Sequence, residues 1–316
     1  MTVSYTPDTT AQTPDLATLK RIFARPTLTS PASDPDAKAR LALGARLFRD
    51  RLLSRNQSMS CATCHNPNRA FTDGRPRARG NDGTPLDRNT PTLYDVRYGN
   101  SFFWDGRAST LEDQARVPLE HPRELNLPLT DAVTRLAAQK YYRRTFDRAF
   151  SMRPSITSET VLQSLATYER SLNSPNTRFD SWVSGTTTAL SKSEATGFRI
   201  FSGKGRCIAC HGGWRFTDDK FHDTGLPSTD LGRGAIPGSN AAPHTFKTPS
   251  LRQLTQTAPY MHDGSLPTLE AVVDHYNGTR IQRPSLASEL KNALGLTPNE
   301  RRALVAFLKT LSFSSR

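Results

Sequence analysis

Apolar residues recur at helical spacing in several separate stretches of the chain. Ala303, Leu304, Phe307, Leu308 and Leu311 fall on one face of a 3.6-residue period and predict an amphipathic C-terminal helix. Comparable stripes run through residues 39–48, 132–138 and 161–172. Three Ser/Thr-x-x-Glu patterns predict helix starts: Ser109 with Glu112, Ser191 with Glu194, and Thr297 with Glu300. Alternating apolar patterns are sparse, so few strands are expected. Residues 74–91 and 225–249 are rich in Pro and Gly and read as long loops, and Ser174-Pro175-Asn176 reads as a linker. The prediction is a mostly α protein with long loops.

The same pattern occurs twice. Arg46-Leu47-Phe48 is matched by Arg199-Ile200-Phe201, Phe71-Thr72-Asp73 by Phe216-Thr217-Asp218, and Thr90-Pro91-Thr92-Leu93 by Thr248-Pro249-Ser250-Leu251. Asp105-Gly106 and Asp263-Gly264 stand at one offset from those threonines, and Thr110-Leu111-Glu112 and Thr268-Leu269-Glu270 follow at another. A register this long implies two domains descended from one. The expected division is a peripheral N-terminal segment, 1–37, then domains over 38–173 and 174–316.

The four cysteines of the chain all fall in this repeat, as Cys61-Ala-Thr-Cys64-His65 and Cys207-Ile-Ala-Cys210-His211. C-x-x-C-H is the attachment signature of c-type haem: two thiols bond the haem vinyl groups and the histidine ligates iron. A zinc ribbon would place its two pairs about 15–20 residues apart, far closer than these. Two covalent haem c groups follow, with His65 and His211 as iron ligands. Covalent haem implies a compartment outside the cytoplasm, typically the periplasm, although residues 1–15 show no signal-peptide pattern.

The duplication also exposes an asymmetry. Eight positions past the Thr-Leu-Glu threonine stands Tyr276 in the second half, whose phenolate can ligate ferric iron, and Pro118 in the first, which has no ligand atom. One closed and one open haem are expected. With Lys+Arg 42 against Asp+Glu 29, the net charge of +13 favours an acidic partner. No basic block or nucleic-acid motif stands out, so nucleic acid is not the expected partner. No apolar run approaches the ~20 residues of a membrane-crossing helix, and a transmembrane chain is not expected.

The chain resembles the bacterial dihaem cytochrome c peroxidases, and more closely their MauG branch. The likeness runs from about Ala39 to Leu311. It rests on both C-x-x-C-H sites, Arg88-Asn89-Thr90-Pro91, Phe103-Trp104-Asp105-Gly106-Arg107 and Ala258-Pro259-Tyr260-Met261-His262-Asp263-Gly264. The resemblance implies two cytochrome c-like domains, a peroxidatic haem at Cys61, Cys64 and His65, and an electron-transfer haem at Cys207, Cys210 and His211. It places Trp104 between the haems and Gln114 and Glu124 over the open face of the first. It implies a calcium ion held by Asn89, Thr257 and Pro259. Peroxidase-branch members close the first haem with a histidine that would fall near Asn81, and use Met where this chain has Tyr276; both differences match the MauG branch. MauG-type enzymes carry a Trp two residues before the second haem site, where this chain has Gly205, and Trp214 is the nearest aromatic that could substitute.

The activity these features imply is peroxide reduction at the first haem. Electrons would come from an acidic small redox protein, a c-type cytochrome or cupredoxin, through the second haem. The alternative is MauG-like oxidation of Trp or Tyr residues on an acidic protein substrate. A plain dihaem carrier would need a sixth ligand on both haems, which Pro118 opposes. A haem-based sensor would need a signalling domain, and none is visible.

Overall fold

The computed structural model describes residues 14–27 and 35–313. The chain divides into two compact units: Leu28–Phe103 with Ala108–Asn173, and Met1–Thr27 with Trp104–Arg107 and Ser174–Arg316. Both are helical. The helices of the first, Pro35–Leu47, Leu111–Glu120, Leu129–Ala138, Lys140–Ala149 and Ser158–Arg170, enclose a core that includes Leu43, Leu47, Phe48, Leu119, Phe146 and Leu165. The second contains Leu16–Phe23, Arg178–Val183, Lys192–Ser202, Leu269–Asp274 and Pro298–Lys309. Its only two strands among the described residues, Phe221–His222 and Phe246–Lys247, pair antiparallel.

The duplication is visible in backbone detail. Gly44 and Gly197 stand at the same place in the two repeats, two residues before the matched arginines. A Cβ on Gly44 would sit 1.9 Å from the Ser164 carbonyl oxygen, and one on Gly197 2.0 Å from that of Ala303. Each glycine lets its helix touch the last helix of its unit backbone to backbone. Phe48 then meets Tyr168 at 5.0 Å between ring centroids, as Phe201 meets Phe307 at 5.2 Å. Left-handed residues also coincide: Phe71 with Phe216, Asp95 with Gln253, Phe103 with Met261, and Gly106 with Gly264. Thr92 Oγ1 donates to the Ala70 carbonyl at 2.6 Å, and Ser250 Oγ to that of Arg215 at 2.7 Å.

Three expectations need amendment. Residues 1–13 and 28–34 of the segment read as peripheral lie outside the described residues, but its helix Leu16–Phe23 is part of the second unit's core. Phe23 is fully buried, with Phe198 at 5.4 Å and Phe216 at 4.9 Å. The helix expected to start at Ser109 is capped by Thr110, which accepts from the Asp113 N–H at 3.0 Å, while Ser109 turns to the Asp113 carboxylate. The other two capping boxes form at Ser191 and Thr297. Finally, Trp104–Arg107 folds with the second unit although its sequence belongs to the first repeat. The Lys247 N–H donates to the Trp104 carbonyl at 2.7 Å and Arg233 Nη1 to that of Asp105 at 2.9 Å, while a Cβ on Gly106 would meet Phe221 at 2.2 Å.

Candidate active site at two haem-attachment motifs

In the first unit, Cys61–Cys64 forms one helical turn and His65 follows as its cap. His65 Nδ1 lies 3.0 Å from the Phe71 carbonyl. A carbonyl only accepts, so Nδ1 carries the proton and Nε2 the lone pair, the state an iron ligand needs. Burial lowers the His65 pKa, with the Phe71 carbonyl opposing. The second unit repeats the arrangement: His211 Nδ1 lies 2.8 Å from the Phe216 carbonyl, and burial again lowers its pKa. Burial pushes the thiols of Cys61, Cys64 and Cys207 up to about 12. A redox C-x-x-C pair needs a lowered thiol pKa, so these donors fit covalent haem and not dithiol chemistry.

Around the first motif, helix Leu111–Glu120 carries Gln114 and Pro118 one turn apart, on one face. The chain then folds back, with the Leu125 N–H donating to the Pro118 carbonyl at 3.0 Å, which sets Glu124 beside that helix end. The Glu124 charge adds to the rise of both thiols, Cys61 and Cys64. Gln114, Pro118 and Glu124 therefore lie on adjoining segments, with Glu124 within electrostatic reach of the first thiol pair. Sequence reasoning missed what holds this turn. The Asn81 N–H donates to the Arg123 carbonyl at 3.2 Å, and its side-chain amide to that of Pro122 at 3.0 Å. Arg123 grips Asp87 at 3.1 Å and the Pro85 carbonyl at 2.6 Å. The loop that would carry a closing histidine in the peroxidase branch is here fastened to the turn bearing Glu124. His121 Nδ1 accepts from the Arg123 N–H at 3.3 Å and lies 3.8 Å from a Glu124 carboxylate oxygen.

Around the second motif, Thr268 caps helix Leu269–Asp274 as Thr110 caps its counterpart, and the helix widens into a π-turn, His275–Thr279, that contains Tyr276. Such widened turns are frequent at functional sites. Three side chains clamp it. His275 Nε2 donates to the Thr224 carbonyl at 2.9 Å, Asn277 accepts from the Leu296 N–H at 2.8 Å, and Arg280 binds the carbonyls of Tyr276, Leu290 and Asn292. Burial raises the Tyr276 pKa, and the charges of Cys210 and Cys207 raise it further. The phenol is therefore within electrostatic reach of the second thiol pair. His222, unremarked in the sequence, pairs with the repeat residue Asp218 at 2.8 Å beside Cys210; the Asp218 hydrogen bond, with Cys210 adding, pushes His222 up to about 10.

A Cβ on Gly205 would stand 2.8 Å from the Ile200 carbonyl oxygen, so a side chain there requires the backbone to shift. Trp214 is buried between two cations, with Arg25 5.4 Å and Arg252 5.7 Å from its ring centroid. Arg252 is fully buried and forked onto Asp180 at 2.6 and 2.8 Å. Asn89 is buried, its amide nitrogen donating to the carbonyls of Arg75 and Pro76, and it belongs to the first unit; Thr257 and Pro259 belong to the second.

The profile described as di-haem cytochrome c peroxidase matches residues 38–188, and that described as cytochrome c matches 194–312. The methylamine utilization protein MauG of Methylorubrum extorquens is 47% identical over 301 residues, covering 94% of this chain and 85% of that one. This chain belongs to the di-haem cytochrome c peroxidase family. A cytochrome-c peroxidase of Denitromonas iodatirespirans is 36% identical over 88% of this chain and 84% of its own length. Among solved structures, a MauG-like protein associated with microbial copper homeostasis superposes with a TM-score of 0.81 at 32% identity, over 91% of this chain and 93% of that one. The family is one of dihaem peroxidase-type oxidoreductases with covalently bound haem c. No helix among the described residues is long and apolar enough to cross a membrane.

The Asp180–Arg252 pair gives a pH prediction. Burial pushes the Asp180 carboxyl up, but the hydrogen bond and charge of Arg252 outweigh it and hold the pKa below the usual carboxylate value. A lowered folded pKa contributes stability that is complete above the unfolded value, about 3.9, and is lost as pH falls through the folded one. Asp180→Asn should remove this support at neutral pH, costing about 3–5 kcal/mol because Arg252 stays buried and charged. Urea unfolding between pH 3 and 7 checks it: the wild type should weaken below about pH 4, and the gap to the variant should narrow there.

Proposed function

We propose that this chain uses hydrogen peroxide to oxidise residues of an acidic partner protein, in the manner of the MauG branch, in the periplasm. What supports the reading is Tyr276, buried within electrostatic reach of the second thiol pair at the helical position where Pro118 stands in the first unit. Haem c, which Cys61, Cys64 and His65 and Cys207, Cys210 and His211 would hold, would supply the redox chemistry. Glu124 moves the proton from the near to the far peroxide oxygen, and Gln114, on the adjoining helix, orients the substrate. Asn81 and Arg123 hold Glu124's turn. Calcium at Asn89, Thr257 and Pro259, and a relay role for Trp104, are carried over from the family likeness.

A second reading, turnover with a small electron donor, is favoured by Gly205 and Trp214. An aromatic at Gly205 would require the backbone to shift. Two guanidinium groups beside Trp214 oppose loss of an electron from its ring, which weighs against Trp214 as a substitute relay. The test is steady-state peroxide turnover with a reduced acidic c-type cytochrome or cupredoxin, at low and high salt. Negligible turnover and a long-lived oxidised dihaem protein support partner oxidation. Fast turnover that slows as salt screens the +13 charge supports the small-donor reading instead.

A further inference from the structure

Helix Ser158–Arg170 carries a carboxyl that nothing in the site so far uses. Glu169 is 5% exposed, and its Oε2 is buried with no hydrogen-bond partner. A buried polar atom left unpaired is destabilising, so its presence calls for a reason. Two observations give the direction. The neighbouring Tyr168 ring meets Phe48 at 5.0 Å, and the Phe48 ring lies 6.5 Å from that of the haem-ligating His65; Glu169 also exerts the largest charge effect on Cys61, a thiol of the same motif. In the duplicated scaffold Ser164 corresponds to Ala303 and Tyr168 to Phe307, so Glu169 corresponds to Leu308, a buried residue of the second unit's apolar core. The fold is satisfied by leucine at this position, and only the first haem site carries an acid there.

We propose that Glu169 couples the first haem to a proton: when that haem gains one electron, one proton from solvent binds the Glu169 carboxylate, and both leave together on oxidation. The carboxylate then favours the oxidised haem by charge, and its protonated form removes that bias on reduction. Burial pushes Glu169 up to about 8, opposed by Arg170 and aided by Glu112, so the group can change state near neutral pH. Arg170 and Glu112 are the charged groups that act on it, and the buried Asp95 stands at the cap of the turn Val96–Tyr98 that packs against its helix. Arg170 is engaged bidentate by Glu112 at 2.7 Å. Arg49 beyond the end of helix Pro35–Leu47 turns to Tyr168 Oη at 3.1 Å, and Arg97 in the turn Val96–Tyr98 lies over Tyr98. Arg116 on helix Leu111–Glu120 is exposed. The Cys61 thiol, which the Glu169 charge raises, becomes an uncharged thioether on haem attachment.

The test is spectroelectrochemical titration of the dihaem protein from pH 6 to 10, compared with Glu169→Gln and Glu169→Leu. The first haem is identified as the one whose spectrum Tyr276→His leaves unchanged. In the wild type its reduction equilibrium should fall with rising pH, by up to tenfold per pH unit for one proton per electron, in a window around pH 8. Both variants should lose that slope while keeping two haems by pyridine haemochrome assay. Glu169→Leu should unfold at equal or higher urea, since it copies Leu308 and removes the unpaired oxygen. A first haem whose equilibrium ignores pH in the wild type, or a slope that survives in Glu169→Gln, overturns the proposal. If Glu169→Leu fails to fold, the wild-type profile and Glu169→Gln decide it. The proposal rests on the haem at Cys61, Cys64 and His65 and not on the electron source, so its failure leaves the proposed function standing.

Discussion

Replacing Glu124 by Gln should slow the reaction with hydrogen peroxide by about 10²–10⁴-fold, the usual worth of a positioned acid–base group. Glutamine keeps the shape and can hydrogen-bond peroxide, but it cannot take the proton from one oxygen and deliver it to the other. The backbone links that hold the turn, from Asn81 to the Arg123 carbonyl and from Glu124 to the His121 carbonyl, do not involve the lost charge. Haem content and unfolding midpoint should therefore stay put. Stopped-flow mixing of the ferric protein with peroxide, without prior reduction, reads the rate directly. An unchanged rate would make Glu124 an ordinary solvated carboxylate.

The second large effect concerns Tyr276. The ferric protein should show one high-spin haem and one six-coordinate His/Tyr haem. Tyr276→His should convert the whole second-haem population to a different ligand set, with haem content still two. The π-turn is held by His275, Asn277 and Arg280 through backbone contacts that do not use the phenol, so the replaced side chain is presented from the same place. Electron paramagnetic resonance and the reduction potential of the second haem would both move. Two low-spin haems in the wild type, or a second haem indifferent to the substitution, would contradict the assignment of Tyr276.

What the chain reveals before folding is its covalent chemistry and its repetition. C-x-x-C-H is legible because haem attachment demands those atoms at that spacing. Tyr276 is legible because the threonines that cap both helices keep the register between halves. Other parts of the site are not local properties. Glu169 looks like one more polar residue on a helix; only its tertiary position, buried within electrostatic reach of Cys61, makes it unusual. Asn81 matters through a contact with a turn far along the chain. Gly44 and Gly197 occur inside helices, where glycine is a poor helix former; their use shows only when the opposing backbone is in place. Ser109 and Thr110 are both competent caps, and the choice between them depends on which hydroxyl reaches the Asp113 N–H.

The aromatic cluster that receives Phe23 also contains Phe307, so this core joins residues from nearly opposite ends of the chain. A protein is synthesised in one direction, and helix Leu16–Phe23 is made long before helix Pro298–Lys309. Until the later helix arrives, Leu19 and Phe23 have no complete apolar surroundings, whereas the first unit has all its described helices once residue 170 is made. The two units thus differ in when they can close. Long-range contacts of this kind slow folding, and exposed apolar surface in the interval is a route to aggregation. The half with the tyrosine-bearing turn is the one that cannot close until both of these distant helices are available.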